Sequence, residues 1–391
     1  MSSLPLNAFQ RRICAVAAAV LWLSTPVLAA PEFIPVASPP AAGGAEDAVV
    51  SRFEIGRLEG LSGRIAFSAA IDGRESIFVL DLDARKLRRF VESSGNDTYP
   101  VWSPRGTRLS FTSDRDGNKE IYLTDWEGLH LARLTRNSLA DDNASWLPDG
   151  SQLIYYADSG QQPKEGHTNL FLYTLADGTS RRLTSLKGRN TTPQYAPSGP
   201  LIAFSTNRFW PGWDICLWNA ASGVEDCPLK GRLESYCRPA WSPSGQQIAY
   251  SAGIGDQIDL AVMNLSDRSK TTLTSLPLRE YDAAWSPSGG QILFAAENGE
   301  KGIFNLYLLN PESRETVPLL KAPYSLRFPN WTAVTTLQLE SQRVAQDRFE
   351  QEPGSAAQNP PPPGDGPSAA ATALPPQSGS PTPAAADAAQ E

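Results

Sequence analysis

The chain has 391 residues and a net charge of −8, with 10 Trp, 33 Pro, 30 Gly, 4 Cys and only 2 His. Two histidines leave no room for a His-rich metal centre. An acidic chain repels phosphate backbones, so nucleic acid is not an expected partner. So much Pro and Gly points to many turns and long tails rather than a helical bundle.

At the start, Arg11-Arg12 precedes an apolar run from Ile13 to Leu23, and small residues follow through Ala29-Ala30. A basic stretch, a short apolar stretch and small residues predict a signal peptide over residues 1–29, cleaved near Ala29. The run is shorter than the ~20 residues that span a bilayer, although an uncleaved anchor is the alternative. No Cys follows it, so the signal is not of the lipoprotein kind. The expected location is periplasmic or secreted, without stable membrane insertion. Residues 30–59 read as a linker.

A repeat of about 46 residues follows. Trp102, Trp146, Tyr195, Trp241, Trp285 and Trp331 mark equivalent positions, spaced 44, 49, 46, 44 and 46 residues apart. Five of them precede the same corner: Ser103-Pro-Arg-Gly106, Leu147-Pro-Asp-Gly150, Ala196-Pro-Ser-Gly199, Ser242-Pro-Ser-Gly245 and Ser286-Pro-Ser-Gly289. Pro pre-sets the second position of a type I turn and Gly closes it. Each corner is followed by an apolar strand, a polar loop and a third strand, such as Leu109-Ser-Phe111 and then Ile121-Tyr-Leu123. A fourth strand often ends in Leu-Thr, as at Leu134-Thr135, Leu183-Thr184 and Leu273-Thr274. Four short antiparallel strands per repeat predict an all-β, six-bladed β-propeller over residues 60–333. Trp331 lacks a following corner and residues 63–90 lack a preceding Trp. The two ends are therefore expected to share one blade and close the ring without free edges.

The stretch Tyr99-Pro-Val-Trp-Ser-Pro-Arg-Gly106, with Leu-Ser-Phe-Thr-Ser-Asp-Arg-Asp-Gly117, Glu-Ile-Tyr122 and Leu-Thr135 after it, resembles the repeat of the TolB propeller. Leu61-Ser-Gly-Arg-Ile-Ala-Phe67 resembles the start of that propeller. The resemblance covers residues 60–333 and does not include the α/β domain that precedes the propeller in TolB. It implies a periplasmic, non-catalytic propeller that binds a protein, peptide or glycan, with a Pal-like lipoprotein among the candidate partners. The chain is expected to act as a monomer, with no cofactor and no metal.

Counting three residues back from each marker gives Tyr99, Asn143, Thr192, Arg238, Asp282 and Phe328. These are the candidate partner-binding residues at the channel mouth, with Arg238 and Asp282 as charged contacts. Ordinary loop variability is the other reading of so mixed a set. Asp141, Asp142 and Glu280 add negative charge nearby, and a Ca²⁺ among such carboxylates is a further alternative. In the fourth repeat, Asn207-Arg-Phe-Trp-Pro-Gly-Trp213 replaces the usual polar turn. Phe209, Trp210 and Trp213 are either an exposed anchor patch for a partner or a cover over a neighbouring blade. Asp114-Arg-Asp-Gly-Asn118 reads as a plain turn, not a calcium loop.

Cys14 leaves with the signal peptide. If the hairpin of the fourth repeat turns around Ala220–Gly223, Cys216 faces Cys227, and a disulfide is expected between them. Cys227 with Cys237, or three unpaired thiols, are the alternatives. No nucleophile elbow, H-E-x-x-H or P-loop is present, so no catalytic residue is assigned. A carbohydrate-active or other hydrolase or lyase using channel carboxylates is the alternative function. From residue 334 to 391 the composition, rich in Pro, Ala, Gly, Ser and Gln towards its end, predicts a disordered tail.

Overall fold

A computed structural model describes residues 34–35, 49–158, 166–209, 211–277 and 279–351. The signal-peptide, most linker and Pro-rich tail assignments, and Trp210, lie outside these residues.

Six blades of four antiparallel strands form a ring. Blade 1 joins Ser325–Thr332 to Arg64–Ile71, Arg74–Asp81 and Lys86–Val91. Its first strand comes from the C-terminal side and pairs with the second from Ser325↔Ala70 to Thr332↔Arg64. Blades 2 to 6 are sequential and span residues 97–133, 141–182, 190–229, 235–272 and 280–321. The shared blade is therefore the predicted one.

The repeated motifs have distinct mechanical roles. At four of the five corners the Gly amide closes back on the residue before Pro, as in Gly106 N to Ser103 O at 2.8 Å; the corner at Ala196–Gly199 bends without that bond. All five corner glycines have positive φ. At Gly106 a Cβ would also lie 2.6 Å from Val334, where the chain leaves the last strand. The marker tryptophans stitch blades together. The indole N–H of Trp146 donates to Val101 O, that of Trp241 to Gln194 O and that of Trp285 to Ala240 O, each in the preceding blade, at 3.0–3.1 Å. That of Trp331 stays at its own blade and donates to Ser62 O, just before the second strand, at 3.0 Å. Trp102 differs. Its ring carries the Arg64 guanidinium at 4.2 Å. Arg64 is buried and bonds the Gly106, Val334 and Trp126 carbonyls, so one side chain joins both chain ends to blade 2. Burial pulls its guanidinium down to about 10.

Leu-Thr also has a physical reason. The Leu amide bonds the third strand normally, and then the Thr hydroxyl, instead of a backbone carbonyl, accepts from that strand. Thr135 serves Ile121, Thr184 serves Leu170 and Thr274 serves Leu260, at 2.9–3.0 Å. The side chain ends the ladder without leaving a buried amide unpaired.

Between blades lie apolar layers, such as Ile154, Tyr156, Leu170, Leu172, Ile202 and Phe204. Two boundaries differ from the sequence reading. The linker ends before residue 59: Phe53 packs on Phe67, Phe78 and Tyr324, Leu58 is buried, and Glu54–Ile55 adds a fifth strand to blade 6. The segment after residue 334 is helical over Thr336–Gln351, with Leu339 buried and Thr336 Oγ1 bonded to Asp81. The buried Leu339, the Thr336 bond to Asp81 and the Thr335 hydroxyl, which accepts from Gln338 N at 3.1 Å, hold the start of this helix despite the polar composition around it. Among the described residues no helix is long and apolar enough to cross a membrane.

Candidate functional site

The first strand of every blade lines the channel, and in every blade its pairing slips by one residue. The breaks fall between Thr98 and Val101, Asp142 and Ser145, Thr191 and Gln194, Cys237 and Ala240, Tyr281 and Ala284, and Arg327 and Asn330. Each is a β-bulge. The six residues counted back from the markers are the bulge residues. Tyr99, Asn143, Thr192, Arg238, Asp282 and Phe328 all have left-handed backbones, with φ between 50° and 59°. All six line one cavity of about 500 Å³. Its wall toward the corners is made by Pro104, Pro148, Pro197, Pro243 and Pro287.

These residues were expected in the loops at the channel mouth. They sit instead in mid-strand, inside the channel, because the bulge and not the loop turns them inward. Bulge amides are held by the preceding blade: Asn143 N donates to Thr112 Oγ1 and Arg238 N to Ser205 Oγ, both at 3.0 Å. Phe328 N donates to Asp282 Oδ2 at 3.3 Å.

The charged pair faces itself. Arg238 Nη1 bonds Asp282 Oδ1, and Arg327 Nε donates to Asp282 Oδ2 at 2.6 Å. Burial alone would raise the Asp282 carboxyl, but the two guanidinium groups reverse this and hold it below the usual range. The site therefore keeps one net positive charge from this trio. Arg238 and Arg327 both lie over the Phe328 ring, at 5.3 and 5.1 Å. Tyr99 packs against Phe328 with the rings tilted by 31° and their centroids 3.9 Å apart. Burial pushes the Tyr99 phenol up, so it stays protonated at neutral pH. Thr192 Oγ1 shares a hydrogen bond with Ser205 Oγ at 2.7 Å.

The nearby acids do not add charge to this cavity. Asp142 pairs with Lys119 Nζ at 2.7 Å and with the Tyr156 hydroxyl at 2.9 Å. Asp141 is fully buried and bonded by Asn137; burial and the neighbouring Glu120 raise its carboxyl well above the ordinary range. Glu280, buried against the Thr274 hydroxyl and the Leu260 amide, is pushed up to about 7.

The aromatic loop is only partly a surface feature. Phe209 is 41% exposed and lies between Arg208 and Lys230, while Trp213 is 8% exposed. Trp213 is thus not an anchor: its carbonyl accepts from Tyr236 N at 2.7 Å, which ties it to blade 5. Asp114–Gly117 is a turn closed at 3.0 Å, as expected. Cys216 and Cys227 are joined by a disulfide, and Cys237 is buried in the first strand of blade 5.

Arg327 was not singled out by the sequence. It directly precedes a bulge residue, where the other blades carry Thr98, Asp142, Thr191, Cys237 and Tyr281. A basic residue at that register is the signal that could have found it.

A closed ring of six blades, built from one repeated Trp-and-corner unit around a central cavity, defines a β-propeller. The family model described as the TolB beta propeller domain matches residues 61–164 and 161–335, and the chain belongs to this family. TolB of Acinetobacter baumannii aligns with a TM-score of 0.61 at 22% identity, over 69% of this chain and 66% of that one. A putative TolB of Agrobacterium tumefaciens gives 0.54 at 18% identity, over 66% and 89%. An oligogalacturonate lyase in complex with manganese gives 0.50 at 15% identity, over 74% and 86%. These identities speak to the fold alone. A relative described as the uncharacterized peptidase YuxL of Bacillus subtilis is 30% identical over 113 residues, which is 28% of this chain and 16% of that protein. The chain thus spans less than two thirds of the length of either YuxL or the Acinetobacter protein.

Proposed function

We propose that the chain is an exported, non-catalytic propeller that binds an extended segment of a protein partner in its central cavity. One observation carries this reading. Six left-handed positions ring the cavity, yet none is Gly and only Asn143 and Asp282 are of types that favour such a backbone. Left-handed non-glycine residues cost on the order of 1 kcal/mol each, and strain of this kind collects at functional sites. The side chains kept there are Tyr, Asn, Thr, Arg, Asp and Phe, a recognition set rather than a packing set. The volume suits three or four residues of a peptide, not a folded domain.

The packed Tyr99–Phe328 pair offers the apolar contact. The net positive trio of Arg238, Asp282 and Arg327 favours a segment with an acidic residue or a carboxylate. A glycan would use the same aromatic wall. The alternative reading, a hydrolase or lyase using channel carboxylates, is less well supported because Asp282 is already saturated by two guanidinium groups.

Affinity capture from an envelope extract tests the proposal, comparing the wild type with Tyr99→Ala and Phe328→Ala. Loss of one shared captured protein in both variants, with melting retained, supports it. Undiminished capture by both, or turnover of an oligosaccharide by the wild type that Asp282→Asn abolishes, overturns it.

A further inference from the structure

The Cys216–Cys227 bridge lies in the outer half of blade 4. Cys216, on the third strand, is fully buried in the layer between blades 3 and 4. Cys227, on the fourth strand, is half-buried at the edge of its sheet. The loop after the second strand brings Arg208 back over the bridge. Its Nη2 lies 3.4 Å from both sulfurs and bonds Glu225. The Phe209 ring covers the guanidinium at 4.6 Å.

A disulfide sulfur is a weak, neutral acceptor and gives a guanidinium little. A thiolate gives it far more, because charge-assisted hydrogen bonds are the strong ones. Arg208 is therefore placed for the reduced form rather than the oxidised one. We infer that Cys216 and Cys227 form a reversible redox pair whose thiolates Arg208 stabilises. Glu225 tempers this effect by sharing the guanidinium.

Exchange follows from the burial difference. A thiolate of a dithiol reductant, of the Cys-x-x-Cys class, attacks Cys227 Sγ, the sulfur nearer solvent. A mixed disulfide forms at Cys227, and the electron pair of the old bond leaves on Cys216 Sγ beside Arg208. The reductant's second thiolate then attacks its own half of the mixed disulfide, and Cys227 departs with that electron pair. The reductant ends as a disulfide. Two electrons have passed to the bridge, and the two protons shed by the reductant are available to the new thiolates. Without Arg208 the first leaving group would be a thiolate in an apolar layer, which burial disfavours.

The test uses the full chain after reduction. The pH dependence of iodoacetamide alkylation is read at each cysteine by mass spectrometry, and the dithiol–disulfide equilibrium is measured against dithiothreitol. Cys237 is the internal reference. In the wild type, Cys216 or Cys227 should titrate below the ordinary thiol value of about 8.5. In Arg208→Gln that value should rise by about one unit, and the equilibrium should move about tenfold toward the disulfide. Glu225→Gln, which leaves Arg208 in place, should move both quantities the opposite way. Should Arg208→Gln fail to fold, Glu225→Gln still decides the matter. Ordinary thiol values in the wild type, or no shift in the variants, overturn the inference.

Discussion

Glu280 should make this propeller less stable as the medium turns alkaline, against the usual behaviour of carboxylates. It starts the first strand of blade 6 and is fully buried. Burial pushes its carboxyl from 4.5 to about 7, against the opposing pull of the Thr274 hydroxyl and the Leu260 amide. The folded protein therefore holds a proton that the unfolded chain has already lost between these values. Stability from this group is fully present below about 4.5 and is lost as the pH rises through 7. A shift from 4.5 to about 7 corresponds to about 3 kcal/mol. Glu280→Gln reproduces the neutral form and removes the titration. Urea unfolding of both proteins from pH 5 to 8.5 isolates the effect, because contributions common to both, such as that of Asp141, cancel. The variant should exceed the wild type by only about 1 kcal/mol at pH 5 and by about 3 kcal/mol at pH 8.5. A stability difference that stays constant over this range refutes the reasoning.

Three further outcomes follow from the same geometry. Deleting Ser325–Thr332 removes the strand that closes blade 1, and a single cooperative melting transition should disappear; an unchanged transition in calorimetry contradicts the closure. Asp282→Asn leaves two guanidinium groups facing each other without their buried counter-charge, and chemical denaturation should show a loss of about 3 kcal/mol or more. In a chain lacking residues 1–29, thiol titration after unfolding without reductant should find one thiol, that of Cys237, whereas three would rule out the bridge.

The blades were legible because one unit recurs and each of its parts solves a local problem. Pro and Gly make the corner, Trp reaches the preceding blade, and Thr ends the ladder. Even the six bulge residues could be found by counting, since a bulge at constant register leaves a constant spacing to the marker. What the spacing did not carry was depth. A loop and a bulge three residues before Trp look alike in sequence, so these residues were expected at the mouth and not inside the channel. Nor does spacing report partners across blades. Arg238 and Asp282 read as two contacts for a ligand, and their mutual pairing through Arg327 needed the ring closed. Trp213 stayed open between anchor and cover for a similar reason: burial of an aromatic in a loop depends on the neighbouring blade. At the ends, composition hid the few apolar residues that decide the matter, Phe53, Leu58 and Leu339.

The ring thus separates two demands that usually coincide. The backbone demand is identical in all six blades, a left-handed residue at one register, and it would be met best by Gly or Asn. The side-chain demand differs in every blade. Thr192 makes the separation sharpest, because a β-branched residue is the least suited of the six to its φ of 50°. Its hydroxyl bonds Ser205, which also receives the amide of Arg238, so the misfit in blade 4 is held by contacts that continue into blade 5. Blades 5, 6 and 1 are then joined through Arg238, Asp282, Arg327 and Phe328. Bonds between blades 2 and 3, 4 and 5, 5 and 6, and 6 and 1 hold unfavourable residues in place around most of the channel. A ring held this way is pre-organised, and under the proposed function a peptide would meet its contacts already set.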